Sequence, residues 1–157
     1  QIGIGARGLN PNRSAEFNIR QNGYDITADA IGYPDAYFTP PTEALDRIEI
    51  VRGAASLQFG TQFGGLINFK THQAINKKFQ ITSQLTGGSF ATVSAFNAIE
   101  GSYKKFSYYA YYQYKHTKGW RPNSKLNAHT AFANISYQVS KKVNISFEFT
   151  HQNYIMQ

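Results

Sequence analysis

From Phe79 to Gln152 the chain alternates apolar and polar residues, the mark of strands with two unlike faces. Phe79, Ile81 and Leu85 alternate with Gln80, Thr82, Gln84 and Thr86. Val93, Ala95, Ile99 and Tyr103 share one face of the run Phe90–Tyr103. Phe106, Tyr108, Ala110, Tyr112 and Tyr114 alternate with Ser107, Tyr109, Tyr111, Gln113 and Lys115. Ala131, Ala133, Ile135, Tyr137 and Val139 alternate with Thr130, Phe132, Asn134, Ser136 and Gln138, and Val143, Ile145, Phe147 and Phe149 with Asn144, Ser146, Glu148, Thr150 and Gln152. The pattern predicts five antiparallel strands of about 9–14 residues each, long enough for the roughly 9–11 residues that a tilted strand needs to cross a bilayer. Their predicted links are Gly87–Gly88, the short basic segments Tyr103–Lys105 and Ser140–Lys142, and a long polar loop, His116–Asn127, broken by Gly119 and Pro122.

The polar face is made mainly of Gln, Ser, Thr and Asn. A soluble sheet normally sets Lys and Glu on its wet face, whereas a filled or aqueous lumen accepts small neutral polar groups. Short turns on one rim, a longer loop on the other, and Tyr near strand ends point the same way. A membrane β-barrel is therefore favoured over a soluble β-sandwich, which also alternates. Five strands cannot close such a barrel, since the bacterial ones have about eight or more; the reading expects the remaining strands to lie outside this sequence.

Composition sharpens the division of the chain. Of its 157 residues only 16% are charged, and 15% are aromatic. Residues 1–74 carry Arg7, Arg13, Arg20, Arg47, Arg52 and Lys70 against seven acids, while residues 75–157 carry ten basic residues and only Glu100 and Glu148. Gly and Pro are concentrated in the first part and aromatics in the second. A boundary near His72–Lys77 follows, with one domain over 1–74 and another over 75–157. The net charge of +7 invites a nucleic-acid reading. Lys77–Lys78, Lys104–Lys105 and Lys141–Lys142 instead mark the starts of strands, so no nucleic-acid partner is expected. No apolar run approaches the roughly 18 residues of a membrane helix, and the absence of Cys excludes disulfides, thiolate metal sites and Cys nucleophiles.

Catalytic chemistry finds no foothold. Gly3, Gly5 and Gly8 make a formal G-x-G-x-x-G, but no strand precedes it and Asn10–Pro11 breaks the helix that should follow. His72, His116, His129 and His151 lack ligand spacing, so no metal site is expected. Ser56 stands in G-A-A-S rather than a nucleophile elbow. No cofactor is called for. What remains in the first part is a strand around Leu45–Val51 with Ile48 and Ile50 on one face and Arg47 and Glu49 on the other. A turn or helix at Ala54–Leu57 and a second strand, Leu66–Thr71, follow it, which together predict a small α+β unit.

The stretch DRIEIVRGAASLQFGTQFGGLINFKT, Asp46–Thr71, resembles the end of the plug domain of TonB-dependent outer-membrane receptors: an acidic/Arg strand, V-R-G, a small-residue turn, F-G, then G-G-hydrophobic-I-N-hydrophobic. GARGLNPNRS (Gly5–Ser14) and IGYPDAYFTPP (Ile31–Pro41) are similar to the ferric dicitrate branch of that family, although Ile31, Tyr33 and Asp35 depart from its Y-G-x-P segment. The resemblance implies a plug segment over 1–74 followed by the first five strands of a 22-strand outer-membrane barrel. It implies import of a ferric chelate, citrate or a siderophore, energised by the TonB complex of the inner membrane through a plug segment that this sequence lacks, and lipid as the surrounding partner. Arg7, Tyr33 and Asp35 on the plug apex, with Trp120 and Arg121 in the long loop, become the expected chelate contacts. Arg47, Glu49 and Arg52 become the expected plug–barrel contacts. The other class left open is a non-transporting surface β-protein, an adhesin or a soluble binding module.

Overall fold

A computed structural model describes residues 17–27, 38–53, 58–59, 64–74 and 78–157. The chain divides into two compact units, Gln1–His72 and Gln73–Gln157. Among the described residues no helix is long and apolar enough to cross a membrane.

The first unit holds a four-stranded sheet in the order β2-β1-β4-β3, with β1 Phe17–Gln21, β2 Tyr24–Asp25, β3 Leu45–Val51 and β4 Gly65–Thr71. β1 and β2 form a hairpin closed by Asn22 and Gly23, both at positive φ, where Gly and Asn are the residues best tolerated. β1 runs parallel to β4, pairing Phe17 with Gly65 and Gln21 with Phe69, while β3 pairs antiparallel with β4 from Leu45–Thr71 to Val51–Leu66. A single 3-10 turn, Thr42–Ala44, leads into β3. The α-helical component expected at Ala54–Leu57 falls outside the described residues; those described are mainly strands.

Strand alternation sorts this sheet into two faces. Phe17, Ile19 and Phe69 are buried on one, with Ile26, Leu45 and Ile67 packed against them. Complete burial of Ile19 contributes about 1.5–3 kcal/mol. Ile48 and Ile50 share that face on the edge strand and stay half exposed. By strand register the opposite face carries Asn18, Arg20, Arg47, Glu49 and Asn68. Gly65 sits where β4 begins, at φ +131, with its α-carbon so close to β3 that a Cβ would lie 2.6 Å from the Val51 carbonyl oxygen.

The second unit is an antiparallel meander, β5-β6-β7-β8-β9, each strand paired only with its sequence neighbours. The strands are β5 Gln80–Gly88, β6 Thr92–Tyr103, β7 Phe106–Thr117, β8 Leu126–Ser140 and β9 Val143–Met156. Lys104–Lys105 and Lys141–Lys142 are two-residue turns. Two differences from the sequence reading have simple causes. Gly87 and Gly88 do not form the first link: they pair with Val93 and Thr92 inside β5, and the turn is Ser89–Phe90–Ala91, with Phe90 and Ala91 both at positive φ. The long loop is shorter than His116–Asn127, because the ladder continues through His116–Asn127 to Thr117–Leu126 and leaves only Lys118–Lys125 unpaired.

Two hydrogen bonds fix which connections share a rim. The Lys118 amide donates to the Phe90 carbonyl at 2.9 Å, so the loop and the Ser89–Ala91 turn lie at one end. The Gln138 amide donates to the Lys105 carbonyl at 2.9 Å, joining the two Lys turns at the other. One face of the meander is apolar and largely exposed, with Ile81, Leu85, Ile99, Ile135, Ile145, Phe147 and Phe149. The other is polar but also carries a buried aromatic cluster that the neutral-polar reading did not anticipate: Phe96, Tyr109, Tyr111 and Phe132, with Tyr111 and Phe132 stacked at 5.3 Å between centroids. Glu100 and Glu148, the only acids of this unit, project to that same face by strand parity.

Candidate functional site

The polar face of the first sheet is tied together by amides rather than by buried ion pairs. Asn68, in the middle of β4, accepts from the Gly23 amide at 3.0 Å and donates to Glu49 Oε2 at 2.8 Å. It therefore links the β1–β2 turn to the edge strand β3. Asn22 accepts from the Thr71 amide at 3.1 Å, fixing the same turn to the far end of β4. Asn18 donates to Asp25 Oδ2 at 3.0 Å and accepts from Arg20 Nε at 2.6 Å. Arg20 then spans outward: Nη1 donates to the Gly23 carbonyl at 2.6 Å and Nη2 to the Phe59 carbonyl at 2.8 Å, with the guanidinium 5.2 Å from the Phe59 ring centroid. A neutral amide can accept and donate at once, so Asn18 and Asn68 satisfy neighbours of either polarity without the desolvation penalty of a buried charge.

Arg47 and Glu49 point to this face from β3, two residues apart. Arg47 Nη2 and Nε both reach Glu49 Oε1, at 2.8 and 3.0 Å, and Nη1 reaches Asp46 Oδ2 at 3.0 Å. Desolvation by itself would raise the Glu49 carboxyl. Hydrogen bonds from Asn68 and Arg47 and the positive charges of Lys70 and Arg47 outweigh it and hold the group below its ordinary value. The same two carboxylates raise Arg47. Arg52 is exposed just past β3, ahead of Gly53 at φ +74. Thus Arg47 and Glu49 are brought together on one strand, and Arg52 lies beyond its end.

The loop Lys118–Lys125 is internally braced. Gly119 donates to Thr117 Oγ1 at 3.1 Å, and Thr117 is held by Thr92 Oγ1 at 2.8 Å. Ser124 Oγ accepts from the Arg121 amide and donates to the Arg121 carbonyl. A side chain at Gly119, φ +69, would collide with Ser124. This bracing presents Trp120, 68% exposed, with the Arg121 guanidinium 4.3 Å from its ring centroid. A cation stacked on an exposed indole is a preformed contact for an anionic or aromatic group. Arg7, Tyr33 and Asp35, expected to contact ligand, lie outside the described residues. Among the described residues no group of three or more His, Asp or Glu could hold a metal ion. The residues that sequence reading missed are Asn18, Asn22 and Asn68. Only Asn68 had a signal, its place in the G-G-hydrophobic-I-N segment, where its two partners come from β3 and the β1–β2 turn.

Residues 1–66 match the family model of the TonB-dependent Receptor Plug Domain. In fold the chain is similar to the pyoverdine outer membrane receptor FpvA from Pseudomonas aeruginosa: TM-score 0.74 at 17% identity, covering 87% of this chain and 20% of that one. It is similar to the siderophore receptor PirA from Pseudomonas aeruginosa: TM-score 0.69 at 22% identity, covering 97% of this chain and 29% of that one. It is equally similar to the copper transporter OprC: TM-score 0.74 at 13% identity, covering 90% of this chain and 23% of that one. The chain spans less than a third of the length of each of these proteins. At such identities the likeness concerns fold, and that fold is shared by proteins with different cargoes. Residues 1–66 thus match the plug-domain model, and the chain shares its fold with the corresponding part of these outer-membrane receptors and transporter.

Proposed function

We propose that this chain is the later plug and the first five strands of a TonB-dependent importer of a ferric chelate, completed by further strands to a 22-strand barrel. The observation that carries the reading is the plug-domain match, followed in the same chain by a meander with one apolar exposed face and one polar face. Ferric citrate is the first candidate cargo, from the G-A-R-G-L-N-P segment; a siderophore is the second. Under this reading Arg7 contacts the chelate carboxylates, since its planar fork matches them. Tyr33 and Asp35 select among chelates, and Trp120 with Arg121 completes the site from the loop. Arg47, Glu49 and Arg52 serve the contact of plug with barrel. TonB and membrane lipid are the implied partners.

The test is growth under iron limitation of the strain carrying the intact gene against its deletion, supplied in turn with ferric citrate, a hydroxamate, a catecholate and, given the shared fold, a copper salt under copper limitation. Chelate-specific loss of growth on deletion supports the importer. Equal growth on every source refutes it. In the intact receptor, Arg7→Ala should weaken binding of the growth-supporting chelate at least about tenfold, the value of one charge-assisted hydrogen bond. An unchanged Kd in a folded variant removes Arg7 from the site.

A further inference from the structure

The β1–β2 turn is built on Asn22–Gly23, the one Asn-Gly pair in the sequence. A two-residue hairpin of this kind needs positive φ at both positions, here 50° and 96°, and Asn-Gly meets that demand at little cost. The same pair carries a chemical liability. The Gly23 amide nitrogen has no side chain to shield it, and Gly23 is exposed. In water, hydroxide removes the Gly23 amide proton and the nitrogen attacks Asn22 Cγ. The N–Cγ bond forms, the Cγ–Nδ2 bond breaks, and ammonia leaves with a proton taken from water. A water molecule then opens the cyclic imide at either carbonyl, giving aspartate or isoaspartate. The net reaction takes up water and releases ammonia.

The fold holds both reacting groups away from this step. Thr71 of β4 anchors the Asn22 carboxamide at both ends: its amide donates to Asn22 Oδ1 at 3.1 Å, and its Oγ1 accepts from Asn22 Nδ2 at 2.9 Å. Asn68, also on β4, accepts from the Gly23 amide at 3.0 Å, so the N–H that must be lost is itself engaged. The Asn22 amide donates to the Phe69 carbonyl at 2.9 Å and seats the turn on β4 between these anchors. Thr71 and Asn68 are both buried. Ring closure must swing Cγ toward the Gly23 nitrogen, which gives up the bonds to Thr71 and Asn68 together. It therefore requires the turn to lift from β4, a local opening short of global unfolding. The product cannot seat itself again as before: aspartate puts a carboxylate oxygen where Nδ2 donated, and isoaspartate adds a methylene to the main chain of a two-residue turn. We propose that Asn22–Gly23 is a deamidation site gated by its contacts with Thr71 and Asn68, so that opening of the β1–β2 turn is converted into a permanent modification. The proposal is independent of the importer reading and of the cargo.

The test incubates the intact protein that carries this chain in mildly alkaline buffer, folded and, in parallel, unfolded in guanidinium chloride. Conversion of Asn22 is followed by peptide mapping with mass spectrometry, and isoaspartate by labelling with a protein isoaspartate methyltransferase. Asn22 should convert readily in the unfolded protein and at least about tenfold more slowly in the folded one, the value of two or more hydrogen bonds. Thr71→Val, which removes the acceptor for Nδ2 at nearly constant volume, should speed conversion in the folded protein about two- to tenfold, the value of one hydrogen bond. Asn68→Leu, which releases the Gly23 amide, should speed it at least as much. Ile19→Val weakens the same sheet from its apolar face without touching the turn, and should speed conversion less than Thr71→Val. Equal rates in the folded and unfolded parent, no conversion in either, parent-like rates in both turn variants, or as large an effect from Ile19→Val as from Thr71→Val would overturn the gating. The folded-against-unfolded comparison stands even where a variant fails to fold.

Discussion

Gly65→Ala is the most informative single change in the first unit. The residue sits at φ +131, a region closed to side chains, and a Cβ there would stand 2.6 Å from the Val51 carbonyl oxygen and 3.4 Å from the Phe17 ring. The closest comfortable C···O approach is about 3.3 Å, so β3 and β4 must part by about 0.7 Å or the backbone must rotate. Holding a non-Gly residue in such a region costs about 1–3 kcal/mol, and losing the adjacent Val51–Leu66 ladder bond about 0.5–1.5 kcal/mol more. The sum, about 2–4 kcal/mol, corresponds to about 30- to 1,000-fold faster exchange of the β3 amides if they exchange through local opening. Gly53→Ala is the internal comparison: φ is +74, but no atom lies within 4 Å of the added Cβ. Only the left-handed backbone cost of about 1–2 kcal/mol applies there. Hydrogen exchange measured by mass spectrometry on peptides spanning Leu45–Thr71 of the intact receptor distinguishes the two. Equal effects at Gly53 and Gly65, or no effect at Gly65, would refute the close-approach argument.

Other outcomes follow from the same geometry. Asn68→Leu removes the bonds to Gly23 and Glu49 at a buried position and should destabilise the first unit by about 1–3 kcal/mol, read as a lowered urea midpoint. Because Glu49 is held below its ordinary carboxylate value, its stabilisation is full above that value and fades as pH falls through the depressed one; Glu49→Gln should flatten the acid limb of stability against pH, and an unchanged limb would show that the carboxylate is not coupled to folding. Gly101→Ala should loosen the β6–β7 pair, since a Cβ would stand 2.6 Å from Tyr108 OH and 2.8 Å from the Lys78 carbonyl; the check is a lower temperature for loss of heat-modifiable mobility on gels. If the Lys turns face the periplasm, an impermeant amine reagent on intact cells should leave Lys104 and Lys141 unlabelled and modify Lys118, and labelling of Lys141 would invert the topology.

The meander was legible because its information is local. Each strand pairs with its sequence neighbour, each side chain faces the wall that period two assigns, and the turns carry Lys pairs. The misplaced first link shows where that logic fails. Gly87–Gly88 carries the composition of a turn, yet glycine also serves inside strands, and the actual turn uses Phe90 and Ala91 at positive φ. Strand alternation correctly put Tyr109, Tyr111 and Phe132 on the polar face, but alternation does not report burial, so their clustering with Phe96 was invisible. In the first unit β1 went unrecognised. It is five residues long, and its partner β4 runs parallel to it from Gly65, far down the chain, so no local pattern announces the pairing.

The candidate site divides along the same line. Arg47, Glu49 and Arg52 were legible as charges on or beside a strand, but the identity of their partners was not. Arg47 turns to Asp46 and Glu49 of its own strand, and Glu49 turns back to Asn68. The acidic/Arg strand is thus neutralised within its own sheet before any other surface is considered. A surface that engages Arg47 must compete with two carboxylates already in place, while one that engages Glu49 meets an acid already supplied with donors. Such charges hold a partner loosely, because every bond gained replaces a bond lost. The strand's half-exposed Ile48 and Ile50, on the opposite face, carry no such compensation. Under the proposed role in the plug–barrel contact, Arg47 and Glu49 would therefore set orientation and ease of release, and Ile48 and Ile50 would supply the apolar adhesion.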